Sequence, residues 1–570
     1  MLKLFSRNAL AVFALALPAT CLAQPVINAV VNNFSGVLPG LPSYGIAPAS
    51  LFVIYGSGMC ASAPLVTQTS AGAGLPQTLN GMTISVTVNG VTTTPAIYYA
   101  IPTQVAAVLP STTPAGTGTI KITYNGQSGS APLVVTKSAF GILTANLTGG
   151  GPAKATNLEY QDITPTASAA PGQTIILWGS GLGADTANND RTYPMKQDNL
   201  NNATVYIGGV KATVLYAGRS LFPGVDQIDV TVPALGASQA FVPARLKDHA
   251  VARAAAFDLQ HALNWEEGGD SGFQGGCGNS VVVVADDVVS NFPTLAVAEG
   301  GGVCSDPVLG NTGTGIVQTG TVKTGSLSLF QVTEPSATSS ADGLKPRAGF
   351  TTVYLASGVF LSETGALYSN SSSFSSIGSC IVSSSSTNTN TTTPTTTPLD
   401  AGKDIALKGG SLSAELQELI TGTYYAALTS APTAGTAYTF TGSGGKDVGA
   451  FTATITLPNP LDWTNEASIS TVTRSQGQLI TWTGGATGTY VIIAGSSTAA
   501  AVSESVAFLC LAAAGADQFT VPSYVLLALP PGNGSLGVYN FAGGVSFSAT
   551  GIDYGRVSAG ILSINSVTYQ

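Results

Sequence analysis

An internal repeat constrains the fold of this 570-residue chain more than any other feature. The stretch Ile46–Met59 (IAPASLFVIYGSGM) matches Ala169–Leu182 (AAPGQTIILWGSGL), so that Tyr55 corresponds to Trp178. Both stretches end in a Gly-Ser-Gly motif. Two copies of one pattern in one chain predict two domains of the same fold.

The repeated stretches have the pattern of short strands separated by turns. Ile84–Tyr99 matches Ala203–Gly218, and Gln104 matches Gln227 further along. The Asn89-Gly90 pair between apolar alternations favours a two-residue hairpin turn. Short strands at regular spacing with Gly and Pro between them are typical of β-sandwiches. The sequence therefore predicts an all-β protein that begins with tandem Ig-like sandwiches.

The combined pattern also resembles a known family. The motifs IAPxSLxxIYGSxM, VTVNGVxxxxxY and PTQ…VP, with a second copy ending in YAG…PGxxQxxVxVP, are similar to secreted proteins abundant in Acidobacteria of the Solibacter type. The resemblance covers roughly residues 26–306 and implies sandwiches of the IPT/TIG type. The downstream segments Asp447–Pro458, Trp463–Gly485 and Phe519–Pro530 resemble the companion region of such proteins. The resemblance implies fold and location, and it implies no activity.

Composition excludes several classes of function. Lys and Arg number 20 against 29 Asp and Glu, which gives a net charge of −9. A chain this poor in basic residues lacks the electrostatic footprint of a nucleic-acid binder. With only 2 histidines, we expect neither a multi-His metal site nor His-based catalysis. We therefore predict no cofactor, no metal and no catalytic residues.

The N-terminus has the pattern of a secretory signal. Lys3 and Arg7 precede the apolar run Ala9–Leu17, and Cys21-Leu22-Ala23 fits cleavage after Ala23. Retention as an anchor and acylation of Cys21 are disfavoured alternatives, because the run is short for a membrane span and Thr20 is not a lipobox residue. We expect an exported, extracellular or cell-surface protein with no transmembrane segment after signal cleavage.

Export permits disulfides. Cys277 and Cys304 flank a predicted hairpin whose tip is Asp286-Asp287, and we expect them to pair. Cys380 and Cys510 are the second candidate pair. Cys60 is then left as a buried free thiol.

One segment of the second repeat does not fit the pattern. Pro233 and Val281 are 48 positions apart, whereas the corresponding distance in the first copy is about 10, so about 38 residues are inserted near Ser238–Gly275. Three interpretations stay open: a helical surface excursion, a sequence artefact and a functional element. The segment contains Gly-Asp-Ser-Gly around Ser271, which resembles the nucleophile motif of chymotrypsin-like proteases without the other features of that family.

The sequence thus divides into five predicted segments. These are a signal peptide at 1–23, a sandwich at 24–139, a second at 140–306 with an insertion at about 238–275, a β-rich domain at 307–460 with a flexible Ser/Thr/Asn-rich stretch at 369–398, and a C-terminal sandwich at 461–570. The one short helix predicted in the C-terminal half is Ser411–Ile420.

We expect a non-enzymatic structural or recognition protein with an unknown extracellular ligand, either a polysaccharide or a cell-surface protein. Alternatives are a carbohydrate-binding accessory protein, a surface-attached adhesin and a serine hydrolase that uses Ser271. Under the carbohydrate hypothesis, aromatic side chains would stack on sugar rings. The candidates are Tyr98, Tyr99, Tyr216 and Trp482.

Overall fold

The computed structural model describes residues 24–61, 66–67, 74–236, 274–306, 311–312, 321–335, 350–364, 376–385, 395–485, 489–499, 502 and 504–570. The predicted signal peptide lies outside these residues, as do Ser271, nearly all of the predicted insertion and much of 369–398. The described residues are nearly all β, as the repeat predicts. No helix in this part of the chain has the length and apolar composition needed to cross a membrane.

The first sandwich consists of two five-stranded sheets, ordered β1-β2-β8-β7-β3 and β10-β9-β5-β4 with β6 beside β5. Its strands are β1 (Val26–Asn32), β2 (Leu51–Ser57), β3 (Val66–Thr67), β4 (Thr78–Leu79), β5 (Met82–Val88), β6 (Val91–Thr93), β7 (Ala96–Ile101), β8 (Gln104–Val108), β9 (Gly116–Tyr124) and β10 (Gln127–Val135). Alternate residues of β5 are buried between the sheets. Asn89 and Gly90 both have positive φ, which confirms the predicted hairpin turn between β5 and β6.

The second sandwich is one nine-stranded sheet rather than two. Its strands are β11 (Gly141–Ile142), β12 (Ala155–Thr156), β13 (Thr174–Ser180), β14 (Ala203–Ile207), β15 (Val210–Arg219), β16 (Asp226–Thr231), β17 (Gly276–Ala285), β18 (Val288–Val289) and β19 (Thr294–Val297). Strand β15 pairs with β14 at its start and with β16 beyond, and a register shift separates Val214 from Tyr216. A strand that changes layers in this way turns the corner between two packed layers.

Two short strands, β20 (Ser305–Asp306) and β21 (Asn311–Thr312), follow and pair with each other. The C-terminal half then builds a 14-stranded sheet and a three-stranded sheet. Its strands are β22 (Thr321–Pro335), β23 (Phe350–Thr364), β24 (Cys380–Ser385), β25 (Thr395–Pro398), β26 (Asp404–Gly409), β27 (Leu412–Ile420), β28 (Thr423–Ala427), β29 (Ala437–Gly442), β30 (Phe451–Thr456), β31 (Leu461–Trp463), β32 (Thr471–Val472), β33 (Gln478–Gly484), β34 (Tyr490–Ala499), β35 (Glu504–Ala513), β36 (Gln518–Val521), β37 (Gly532–Phe547) and β38 (Tyr554–Tyr569).

The large sheet crosses the boundary predicted at residues 460 and 461. Strand β22 pairs in parallel with β38, which also pairs with β37. Each of the two hydrophobic cores in this half contains residues from both sides of that boundary. The split into separate domains 307–460 and 461–570 remains a prediction, and the two segments share one sheet.

The helix predicted at Ser411–Ile420 is wrong, because residues 412–420 form strand β27 between β26 and β28. Leu412 and Leu416 are both buried, and their four-residue spacing fits one helix face or one strand face equally well. Pairing with a neighbouring strand on each edge of β27 outweighs the helix propensity of its residues.

Two segments of the stretch predicted to be flexible, Cys380–Ser385 and Thr395–Pro398, are strands. The described helices are α1 (Ser523–Leu527) and the 3₁₀ turns Glu466–Ser468, Arg474–Gln476 and Ala514–Ala516.

The second sandwich and the C-terminal half share a hydrophobic core. Val282 and Phe292 of the second sandwich are buried in the same cluster as Trp482 of the C-terminal half. The rings of Tyr206 and Tyr524 stack with centroids 4.5 Å apart across this junction. The junction is therefore packed like a domain interior, and it fixes the two parts relative to each other.

Two disulfides join the described cysteines, Cys277 to Cys304 and Cys380 to Cys510, which are the two pairs predicted from the sequence. Cys60 is free and buried. Disulfides of this kind are typical of an oxidising, extracellular compartment.

We expect loss of either bridge to lower the free energy of unfolding. Chain entropy predicts about 5 kcal/mol for the bridge that spans 130 residues and about 3.5 kcal/mol for the bridge that spans 27. The measurement is urea unfolding of Cys380→Ser/Cys510→Ser and of Cys277→Ser/Cys304→Ser. Cys60→Ala is the matched control, because it removes a buried thiol but no bridge. Midpoints equal to that of the control for both double variants would contradict this assignment.

Candidate functional site

The structure removes one of the four predicted stacking residues. The side chain of Trp482 is only 1% exposed, and its indole N–H donates to the carbonyl oxygen of Ala514 at 2.8 Å. Its cross-strand neighbour Trp463 is also buried. The prediction that Trp482 contacts a sugar is therefore wrong, because the ring belongs to the core that the second sandwich and the C-terminal half share.

Tyr98 and Tyr216 are half-buried, and both use their hydroxyl groups within the protein. Tyr98 donates to the carbonyl oxygen of Pro223 in the second sandwich at 2.8 Å. The Tyr216 hydroxyl donates to the carbonyl oxygen of Arg219 at 2.6 Å. Burial raises the pKa of each phenol to about 12. These two side chains fix the junction and the β15 corner, and their role in ligand binding remains a prediction.

Tyr99 lies in a small aromatic group on the outer face of the first sandwich. The hydroxyl group of Tyr99 interacts electrostatically with Tyr55 of β2 and is hydrogen-bonded to the side chain of Gln104 of β8. Burial raises the pKa of Tyr99 to about 12, with a further contribution from Tyr55. Tyr55 and Tyr99 are half-buried, so each keeps part of its ring accessible.

A cleft of about 580 Å³ opens beside this group, where the first sandwich, the second sandwich and the C-terminal sheet meet. Its wall includes Phe34, Tyr55 and Phe292, together with exposed Ser383 and Thr148. None of the described residues that line the cleft is charged. A cavity of this size with aromatic walls and a few hydroxyl and amide groups suits an uncharged organic ligand.

The polar groups behind the wall are already paired, which makes the wall rigid. The Asn32 amide donates to the carbonyl oxygens of Ala139 and Ser180, both at 2.9 Å, and accepts from the backbone of Phe34. The Asn291 side chain accepts from the backbone N–H of Ile142 at 2.7 Å and donates to the carbonyl oxygen of Ile142 at 2.9 Å. Burial without unpaired groups keeps these amides in one orientation.

The Gly-Ser-Gly motif of the second repeat holds the two sandwiches together. The Ser180 hydroxyl accepts from the backbone N–H of Leu51 at 2.8 Å and donates to the carbonyl oxygen of Gly224 at 2.6 Å. A Cβ on Gly179 would lie 2.1 Å from the ring of Phe140, so only glycine fits there. The motif therefore makes a structural contact between the sandwiches.

A buried carboxylate adds a second contact across the same junction. The backbone N–H and the hydroxyl of Ser111 donate to Asp190 at 2.7 and 2.8 Å. Burial raises the pKa of Asp190, and these two hydrogen bonds oppose the rise. Leu75 and Arg191 exchange two further hydrogen bonds nearby. The first two sandwiches thus form one rigid pair.

The segment between the sandwiches is clamped by Asp286, at the predicted hairpin tip after β17. Its carboxylate binds Lys137, Ser138 and Asn202. Burial alone would raise the pKa of Asp286, but the hydrogen bonds from these three groups outweigh burial and hold the pKa below its ordinary value. The sequence identified the turn, and it gave no sign of the partners.

An exposed aromatic pair lies elsewhere on the second sandwich. The Tyr160 side chain is 65% exposed, and its ring lies 6.2 Å from that of Trp178, with 28° between the planes. Trp178 is half-buried, and the sequence gives no signal for Tyr160. The missing signal was the turn that follows β12, which brings the two rings together.

The described residues contain no group of three or more His, Cys, Asp or Glu side chains that could hold a metal ion. The cleft is lined by apolar, aromatic, hydroxyl and amide groups.

No protein-family model and no curated protein matches this sequence. Among solved structures, a fragment of titin is 10% identical, covers 73% of this chain and 91% of its own, and has a TM-score of 0.13. SGBP-B from a complex xyloglucan utilisation locus in Bacteroides uniformis is 11% identical, with coverages of 71% and 86% and a TM-score of 0.16. Domains 5–6 of the S-layer protein SbsC are 12% identical, with coverages of 48% and 99% and a TM-score of 0.14. At such TM-scores, these similarities support no conclusion about function.

We expect Asp286→Asn to lower the urea midpoint at pH 7, because it removes the charge that binds Lys137. A lowered pKa means that the ionised carboxylate stabilises the fold above its unfolded pKa of about 3.9, and that this stabilisation is lost as the pH falls through the folded value. The difference between variant and wild type should therefore shrink below about pH 4. Asp287→Asn, in the same turn, is the control. A difference that stays constant down to pH 2 would contradict the clamp.

Proposed function

We propose that this protein is an extracellular, non-enzymatic recognition protein whose three-part cleft binds a neutral polysaccharide segment. The observation that carries the proposal is the uncharged lining of the cleft, with Tyr55 and Phe34 on its wall. Sugars of a neutral polysaccharide offer apolar ring faces for aromatic contact and hydroxyl groups for hydrogen bonds. Charged ligands would lose hydration in this cleft and find no opposite charge.

Rigidity of the walls supports the same proposal. The first two sandwiches are joined through Ser180 and Asp190, and the second is joined to the C-terminal half through the core that contains Val282. A preformed cleft has a smaller entropy cost of ordering when it binds. Export of the chain, which is a prediction from its N-terminus, would place the cleft where polysaccharides occur.

The test is affinity electrophoresis through gels that contain xylan, mannan, mixed-linkage glucan or starch, with polygalacturonate as the acidic comparison. We expect retardation by at least one neutral polymer and none by polygalacturonate. Tyr55→Ala should weaken the interaction about tenfold, because it removes an aromatic wall worth about 1–1.5 kcal/mol. Ser383→Trp should also weaken it, because a large side chain on exposed β24 would fill the cleft.

Tyr425→Ala is the matched control, since Tyr425 is a partly exposed tyrosine of the C-terminal sheet that does not line the cleft. Its mobility should equal that of the wild type in every gel. Unchanged retardation of both Tyr55→Ala and Ser383→Trp would refute binding in the cleft. Retardation by polygalacturonate alone would refute the preference for neutral ligands.

A further inference from the structure

The backbone at Tyr160 is held in a conformation that costs free energy. Its φ is +62°, in the left-handed region that residues other than glycine rarely adopt. The ring is nevertheless directed to solvent, with the side chain 65% exposed. The strain is therefore not offset by burial of the ring, and the conformation instead keeps an aromatic surface accessible.

The turn around Tyr160 is fixed by Asn157. The carbonyl oxygen of the Asn157 side chain accepts from the backbone N–H groups of Glu159 at 3.0 Å and Gln161 at 2.8 Å. The side-chain NH2 group of Asn157 donates to the side-chain oxygen of Gln161 at 2.9 Å. The backbone N–H of Tyr160 donates to the backbone carbonyl oxygen of Asn157 at 3.0 Å. These hydrogen bonds fix the backbone of the turn that carries the ring.

Trp178 completes the surface. Its indole N–H donates to the Thr156 hydroxyl at 3.1 Å, which fixes the plane of the ring. The 6.2 Å separation and 28° inclination of the two rings are those of an offset aromatic pair. Leu158, 55% exposed, is on the same turn.

Two observations connect this pair with the cleft. Trp178 occupies the repeat position that Tyr55 occupies in the first sandwich, where it lines the cleft. The carbonyl oxygen of Trp178 accepts from the backbone N–H of Leu143, and the chain that continues from Leu143 reaches the cleft wall at Leu147. The strand that carries Trp178 is thus connected to the cleft wall through residues 143–147.

We propose that Tyr160 and Trp178 form a second, surface binding site that stacks on a ring of a neutral polysaccharide chain. The rim of the site offers hydrogen-bonding groups to sugar hydroxyls, namely the exposed Glu159 and Gln161 side chains and the Lys154–Asp162 ion pair. The choice of a neutral polysaccharide rests on the proposed function, whereas the aromatic pair itself is an independent observation.

The experiment uses the full exported chain in the same gels of xylan, mannan, mixed-linkage glucan and starch. Tyr160→Ala should weaken retardation by the polymer that retards the wild type about threefold to tenfold. Tyr160→Phe should keep most of it, because the ring remains and only the hydroxyl is lost. Tyr425→Ala again controls for the loss of a surface tyrosine.

The outcomes separate the two proposals. Weaker retardation of Tyr160→Ala with normal retardation of both Tyr55→Ala and Ser383→Trp supports the surface site and refutes the cleft. Normal retardation of Tyr160→Ala with weaker retardation of Tyr55→Ala overturns the surface site and leaves the cleft. A wild type that no neutral polymer retards overturns both proposals.

Discussion

The arrangement of the whole molecule depends on apolar residues that face away from the core of the second sandwich. Along β17, Val281 and Val283 fill that core, whereas Val282 points to the other side and is equally buried. A strand that is apolar on both faces must be covered on both. The C-terminal half supplies the second cover through Tyr524 and its neighbours. The second sandwich is therefore the middle layer of the structure, and the cleft lies where its two neighbours approach each other.

Polar contacts complete what the shared core begins. The first sandwich is joined to the second through hydrogen bonds of Ser180 and Ser111. Hydrogen bonds to buried partners are directional, so they fix orientation as well as distance. Asp286 adds a third contact, because its carboxylate accepts a hydrogen bond from Ser138 in the segment between the two sandwiches. Together these contacts make the tandem pair a fixed frame for the aromatic residues on its surface.

Local patterns in the sequence predicted what depends on local structure. The Asn89-Gly90 turn, the Asp286-Asp287 tip and the Cys277–Cys304 pair follow from turn chemistry and strand order, and the structure contains all of them. The structure also contains the second candidate pair, Cys380–Cys510. Features that depend on long-range pairing were missed. The segment Leu412–Ile420 fits a helix or a strand until its neighbours are known, and Trp482 is indistinguishable from a surface tryptophan without the sheet that covers it. The aromatic pair of Tyr160 and Trp178 was missed because the two rings belong to different parts of the sequence.

The position of β38 has a consequence for the order of folding. This 16-residue strand follows all the other described strands along the chain, yet it lies inside the large sheet between β37 and β22. Its parallel pairing joins Thr324 to Tyr554, which are 230 positions apart. Contacts of such separation form slowly because a long loop must close first. During synthesis, the C-terminal sheet thus keeps an open gap beside β22 until β38 emerges, and the first two sandwiches have time to fold before their partner is complete.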